Sequence, residues 1–257
     1  MEKKEEGDKT RSGIQVIDRA ATLLETLARY NDPVSLKILC AESGLHASTA
    51  HRILASLIDN RFVERDTTGH YRLGMRLLQL GVRLHNRIDL RAVALPVMEQ
   101  LRDKLGESVN LTLREGDVLV YIEKATPNRM MHVQQLIGSR APLHVTAVGK
   151  MMLGTAGKEA ISGYAERTNL PAYTRKTISS LPQLLEECEA AAERGYALDN
   201  EEAEIDVGCI GVLLYDSNGN VAAGLSVSAP IERRRLSWIE DVKEAGRQIS
   251  NQLGYQG

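Results

Sequence analysis

Cysteine is scarce in this chain. Three residues, Cys40, Cys188 and Cys209, are spread over 257 positions with no CxxC pair. This excludes a disulfide framework and a cysteine-rich zinc module, and reduced thiols in a cytosolic compartment are expected. Long hydrophobic runs are missing too: stretches such as Cys209 to Tyr215 fall far short of the roughly 20 residues that cross a bilayer. The start, Met1-Glu2-Lys3-Lys4-Glu5-Glu6, lacks the apolar core of a signal peptide, so a soluble, cytoplasmic protein with no membrane partner is expected. No GxGxxG or GxxxxGK(S/T) string and no HExxH or HxxxH pair occurs, which leaves nucleotide hydrolysis, a metal and a cofactor without support. Aromatics are few, with one Phe, one Trp and eight Tyr, and they offer no clear cage for a flat ligand.

Core material, by contrast, is ample. With 43% apolar and 26% charged residues the chain is neither disordered nor fibrous, and its length suits two compact domains. The net charge of −2 conceals an asymmetry: residues 11–87 carry 11 Lys and Arg against 7 Asp and Glu, whereas residues 88–257 carry 18 against 23. Only the first part is a candidate for binding a polyanion.

Residues 1–11 read as a polar tail. From Ile14 to Tyr30 the apolar residues Val16, Ile17, Ala20, Leu23, Leu24 and Leu27 recur every three or four positions, the spacing of an amphipathic helix. Ser35 is placed to cap a short helix, Leu36 to Glu42, and Ser43-Gly44-Leu45 supplies a tight turn. Ser48 is placed to cap a third helix whose apolar residues Ala50, Ile53, Leu54 and Leu57 leave Thr49, His51, Arg52 and Ser56 facing elsewhere, and with Ser48 these are suited to contact DNA. Helix, short helix, glycine turn, helix is a helix-turn-helix. Two strand-like runs, Phe62 to Arg65 and His70 to Leu73, flank Asp66-Thr67-Thr68-Gly69 as a hairpin wing. The third helix of such a unit enters the major groove, and Arg61, Arg65, His70 and Arg72 bring donors from the wing and its flank to phosphates. Winged helices also serve as protein-interaction modules, so a ligand-sensing scaffold that does not bind DNA is the rival reading.

Gly74 to Asn86 is helical in period, and Asp89 is placed to cap Leu90 to Leu105. Alternation then marks strands at Val109 to Leu113 and Val118 to Glu123, and Met130 to Ile137 reads as a third. Helices are expected at 147–154, 158–167 and 181–194, then a hairpin of Val207 to Tyr215 with Val221 to Ser228, then a last helix, Ser237 to Leu253. This is an α+β pattern of one sheet with helices packed on it.

The second half also carries a candidate ligand site. Thr146 is placed to cap the helix from Ala147, where small Ala147 and Gly149 let an anion approach the first free amides. Ser226 and Ser228 share one face of a strand, with Gly224 leaving that surface open; Cys209 and Gly211 share a face of the neighbouring strand, and Asp199 ends the run before it. Each residue also has an ordinary reading: Cys209 as a small buried hydrophobe, the serines as half-exposed strand residues, Met130 as core. A thiol enzyme using Cys209 with His144 as base, or a metal at Asp206, has no signature in the spacing.

Three blocks carry a family resemblance: Ser43 to Leu54 followed by Phe62-Val63-Glu64; Arg140 to Lys150; and Asp199-Asn200-Glu201-Glu202 through Gly208-Cys209-Ile210-Gly211 to Ala223 to Ser228. In order and spacing the chain from about Ser12 onward resembles the IclR, or isocitrate lyase regulator, family. The resemblance implies a winged helix-turn-helix over 12–74, a linker helix over 75–89, and a GAF-like effector-binding and oligomerisation α/β sandwich over 90–257. It implies a regulator of a catabolic operon, repressor or activator, controlled by a small organic acid and acting as a homodimer or homotetramer. One winged helix spans few base pairs, so two copies on a pseudopalindromic double-stranded operator are expected. By resemblance, Asp199, Cys209, Ser226 and Ser228 make polar contacts to the effector, the Ala147 and Val148 amides hold its carboxylate, and Met130, Val133, Ala141 and Val207 form an apolar wall.

Overall fold

The computed structural model describes residues 14–85 and 89–257. The expected tail, 1–11, and the middle of the join between the two linker helices, 86–88, lie outside the described residues. The chain divides into two compact units, with the break between residues 87 and 88.

In the first unit, helices α1 (Gln15–Ala28), α2 (Leu36–Ser43) and α3 (Ala47–Asp59) precede strands β1 (Val63–Arg65) and β2 (Tyr71–Leu73) and helix α4 (Met75–His85). The three- and four-residue periods put Leu23, Leu27, Leu39, Ala50, Ile53, Leu54 and Leu57 into one core with Val34, Val63 and Tyr71. Ser35 caps α2, its hydroxyl accepting from the Ile38 amide, and Gly44 ends α2 in the left-handed region at φ 67°. Ser48 does not cap α3. The helix begins two residues earlier, with extended His46 as its N-cap, so Ser48 is already helical and exposed. The wing pairs Val63 with Leu73 and Arg65 with Tyr71. Its turn is closed by the Asp66 carboxylate, which accepts from the Thr68 and His70 amides.

The second unit opens with α5 (Leu90–Leu105), whose N-cap Asp89 accepts from the Arg91 amide. There follow β3 (Ser108–Glu115), β4 (Val118–Ala125), β5 (Arg140–Pro142), α6 (Ala147–Ala156), α7 (Lys158–Thr168), α8 (Leu181–Arg194), β6 (Ala197–Asn200), β7 (Val207–Tyr215), β8 (Val221–Pro230) and α9 (Ile239–Gln252). The strands form one antiparallel sheet in the order β5-β4-β3-β8-β7-β6.

Strict alternation sorts the two faces. Val109, Leu111, Ile210, Val212, Leu214, Ala223, Leu225 and Val227 point to α5 and α9. The opposite face meets α6, α7 and α8 through Leu119, Ala197, Leu213 and Cys209. On β8 that second face reads Gly224, Ser226, Ser228, between apolar neighbours that all point the other way.

The expected strand Met130 to Ile137 does not form. Its carbonyls are taken by side chains instead of a neighbouring strand: Val133 by Ser108 Oγ at 2.6 Å, Gln135 by Lys124 Nζ at 3.0 Å, and Met131 by Arg233 at 3.0 Å. With no ladder to impose alternation, Met130, Met131, Leu136 and Ile137 are all exposed.

Candidate functional site

Two sites emerge, one in each unit. On α3, the buried Ala50, Ile53, Leu54 and Leu57 fix the helix so that Ser48, His51, Arg52 and Ser56 are exposed, with Thr49 half-buried at its edge. Thr49, Arg52 and Ser56 also border a groove against Val16 and Ile17 of α1.

The flanking cations differ in freedom. Arg72 forks onto Glu64, with Nε at 3.0 Å and a terminal nitrogen at 2.8 Å, and this bonding holds the Glu64 carboxyl below its usual range. Arg65 lies over the Tyr71 ring, 5.4 Å from its centroid, and donates to the Gly69 carbonyl. His70 is bonded to the Thr68 hydroxyl at 2.8 Å. Arg61, exposed, turns the chain at φ 61° between α3 and the wing. Arg76, not anticipated from the sequence, stacks over Phe62 and donates to the Asn60 carbonyl.

The second unit encloses a cavity of about 200 Å³ between the head of α6 and the sheet. Ala141, Ala147, Val148, Asp199, Val207, Cys209 and Ser226 all line it, and so do Thr112, Tyr121, Arg140 and Tyr173, which sequence reasoning missed. Thr112 and Tyr121 follow the alternation of β3 and β4 and were discoverable that way; Tyr173 sits in a loop and carries no local signal.

Three assigned positions lie elsewhere. Met130 is fully solvent-exposed. Val133 is held by its carbonyl on Ser108, away from the lining. Ser228 is buried on the same face of β8 but outside the lining, where its Oγ accepts from Asn110 Nδ2 at 3.1 Å and lies 3.2 Å from Cys209 Sγ. Asn110 Oδ1, buried with it, has no partner among the described residues.

At the head of α6, Thr146 caps as expected, its hydroxyl accepting from the Gly149 amide at 3.2 Å. The Ala147 and Val148 amides precede any helical acceptor. The small residues nearby do a different job from the one expected. A Cβ on Gly149 would meet the Leu143 carbonyl at 2.2 Å, and one on Gly224 would meet Val148 Cγ1 at 2.0 Å. Gly149 lets the turn before α6 pack against the helix's first turn, and Gly224 lets α6 seat on the sheet, so the space at Gly224 is filled by Val148 and is not open.

The wall opposite is acidic. Asp199 is 2% exposed, and burial pushes its carboxyl up to about 6 although the Glu202 amide donates to it at 2.7 Å. Burial, with the Asp199 charge adding, pushes the Cys209 thiol far up, the opposite of an activated nucleophile. His144 is not positioned as a base for it: Nδ1 is 2.7 Å from the Tyr164 hydroxyl and Nε2 is 3.1 Å from the Pro171 carbonyl. Among the described residues no group of three or more His, Cys, Asp or Glu is placed to hold a metal. No helix there is long and apolar enough to cross a membrane.

Known proteins agree with this geometry. The IclR helix-turn-helix domain model matches residues 16–67, and the bacterial transcriptional regulator IclR C-terminal model matches residues 82–251. The HTH-type transcriptional regulator KipR of Bacillus subtilis is 32% identical over 236 residues, covering 90% of this chain and 94% of KipR. The HTH-type transcriptional repressor AllR of Escherichia coli K12 is 33% identical over 248 residues, covering 94% and 91%. Among solved structures, the Agobacterium tumefaciens repressor BlcR matches with a TM-score of 0.84 at 25% identity, covering 96% of this chain and 100% of that one. An IclR homologue from Microbacterium hydrocarbonoxydans, solved in complex with 4-hydroxybenzoate, matches with a TM-score of 0.60 at 27% identity, covering 93% and 98%. A winged helix-turn-helix followed by this α/β domain defines a DNA-binding transcription regulator. The chain belongs to the IclR family.

Proposed function

We propose that this regulator acts in the cytoplasm and adjusts its hold on DNA in response to a compact organic acid bound in the α6 cavity. The observation that carries the reading is the cavity's polarity. First-turn amides of Ala147 and Val148, which have no intrahelical acceptor, favour a carboxylate at one wall. Thr112 and Ser226 offer hydroxyls from the sheet, and Tyr121 and Tyr173 offer flat apolar surface. At about 200 Å³ the space suits a small acid rather than a drug-sized ligand, whose pockets run to about 300–1,000 Å³. The Microbacterium homologue binds an aromatic monocarboxylic acid, which supports the class without fixing the member.

The DNA end of the reading places Ser48, Arg52 and the neighbouring exposed face of α3 in the major groove, with Arg61 and the wing residues Arg65, His70 and Arg72 beside the backbone. A homodimer or homotetramer would present two such helices to a pseudopalindromic operator. Repression is the sense carried by AllR and BlcR. Catalysis is disfavoured by the raised Cys209 thiol and the engaged ring of His144.

The test is a thermal-shift panel of keto, sugar and aromatic monocarboxylic acids on the full chain. A ligand at 100 times its Kd adds about 2.7 kcal/mol, enough for a clear rise in Tm. The reading expects one acid class to raise Tm and Ser226→Ala to reduce the rise. No shift with any acid, or a rise that Ser226→Ala leaves intact, contradicts it.

A further inference from the structure

Three of the stretches that line the cavity, the head of α6, Asp199 and the loop at Tyr173, are linked at one residue. Glu202, in the β6–β7 loop, is 4% exposed. Its carboxylate receives Lys150 Nζ, from the first turns of α6, at 2.6 and 2.7 Å. Its amide donates to Asp199 Oδ1 at 2.7 Å. Its carbonyl accepts from the Thr177 hydroxyl at 2.6 Å, and that Thr177 Oγ1 in turn accepts from the Tyr173 and Thr174 amides at 3.0 and 2.9 Å. The head of α6 and Asp199 are thus joined directly at Glu202, and Tyr173 is joined to it through the Thr177 hydroxyl.

Local preference does not hold this loop. Glu201 and Asp206 have φ of 65° and 64°, a region that L-residues adopt only when surroundings over-determine them. The ion pair adds little general stability, because the desolvation of two buried charges roughly offsets their attraction. What the pair does is tie the head of α6 to the loop that follows Asp199.

We propose that Lys150 and Glu202 are positioning residues of the effector cavity, an internal ion pair that fixes Asp199 and Tyr173 relative to the amides at the head of α6. The inference rests on the cavity being the effector site, yet its geometry is testable without any ligand. Neutralising Glu202 should free both walls, and Lys150 would retain Glu187, 3.7 Å away, which favours a folded variant.

The experiment is hydrogen–deuterium exchange on the full chain, comparing the parent with Glu202→Gln and with Lys150→Met/Glu202→Gln; the second variant leaves no unpaired charge should the first fail to fold. The amides of 173–174 and 202–203 should exchange at least about tenfold faster, while α5, α9 and β7 keep their protection. Selective carbonyl-carbon labelling of Asp supplies a second readout. Asp199 faces the Glu202 and Ala203 amides, the Cys209 thiol, Tyr121 and the Lys150 charge. In the double variant the two lost charges oppose each other, so loss of the amide bond should move the Asp199 titration upward by about one unit. Unchanged exchange in the two loops, an acceleration spread evenly over the α/β unit, or an unmoved Asp199 titration overturns the proposal. Because exchange reads the walls directly, its failure is separate from a failure of the acid panel.

Discussion

The two units handle polarity in opposite ways. Among the described residues the first buries a single polar side chain, Thr26, whose hydroxyl simply returns to the Thr22 carbonyl one turn earlier. The second buries many, including Glu107, Asn110, Thr112, Lys150, Asp199, Glu202, Ser226 and Ser228. A unit that meets a large charged partner can keep its core apolar and place all its chemistry outside, on α3 and the wing. On the proposed reading, a unit that holds a small guest carries polar groups inward and must partner them. The first is therefore sensitive to substitutions in its core but adaptable at its surface, while the second is sensitive at its interior hydrogen bonds.

The largest expected effect breaks the first unit alone. Leu54→Ala removes a fully buried side chain from a small core and should cost about 2–5 kcal/mol. Calorimetry should show the first unit's transition lowered, DNA binding lost, and the second unit's transition unmoved.

A pH effect driven by burial belongs to the second unit. Burial raises Asp199 from its ordinary 3.8 to about 6, so between these values the folded chain holds a proton that the unfolded chain has released. The contribution of this residue to stability therefore declines as pH rises from about 4 to about 6, by about 3 kcal/mol in the limit. Urea titrations of the parent across that window should show the decline, and Asp199→Asn should flatten it.

Ser228→Ala sharpens the contrast between the cavity lining and the residues outside it. It strips Asn110 Nδ2 of its acceptor and should cost about 1–3 kcal/mol of stability. Ser226→Ala, at the lining itself, should change ligand response more than Tm. If the two variants behave alike in denaturation, the assignment of Ser228 to a position outside the lining is wrong.

On the outer face, Arg52→Ala should weaken operator binding by about 1–3 kcal/mol, with Tm unchanged, in a gel-shift titration. Arg72→Ala should have the smallest effect of the set, because its guanidinium is already committed to Glu64. A loss larger than that of Arg52→Ala would show that Arg72 leaves Glu64 for DNA.

What was legible in the sequence was local. The periods of α1 and α3, the Ser35 and Asp89 caps and the β7–β8 hairpin follow from spacing and turn chemistry within a few residues of each other. Ser226 and Cys209, expected on one face of neighbouring strands from alternation, both line the cavity, and the register sets Cys209 opposite Ser228 and Gly211 opposite Ser226. The misreadings arose where distant groups intervene. Ser108, Lys124 and Arg233 capture the carbonyls of 131–135 and cancel a strand whose own pattern is convincing. Gly149 and Gly224 look like open space until the Leu143 carbonyl and Val148 are seen against them. Lys150 and Glu202 lie 52 positions apart, each an ordinary charged residue in its own neighbourhood. No one-dimensional signal joins them; the crossover from α6 through α7 and α8 to β6 does.

The central claim is that an acid held in the second unit alters the first unit's grip on DNA. Fluorescence anisotropy tests it most directly, using a duplex selected by the full-length protein and titrated with and without the acid that raises its Tm. The account predicts that the acid changes the Kd for that duplex at least about tenfold, a coupling of about 1.4 kcal/mol, and that Ser226→Ala suppresses the change while keeping the ligand-free Kd. A Kd that is the same with and without bound acid would contradict it.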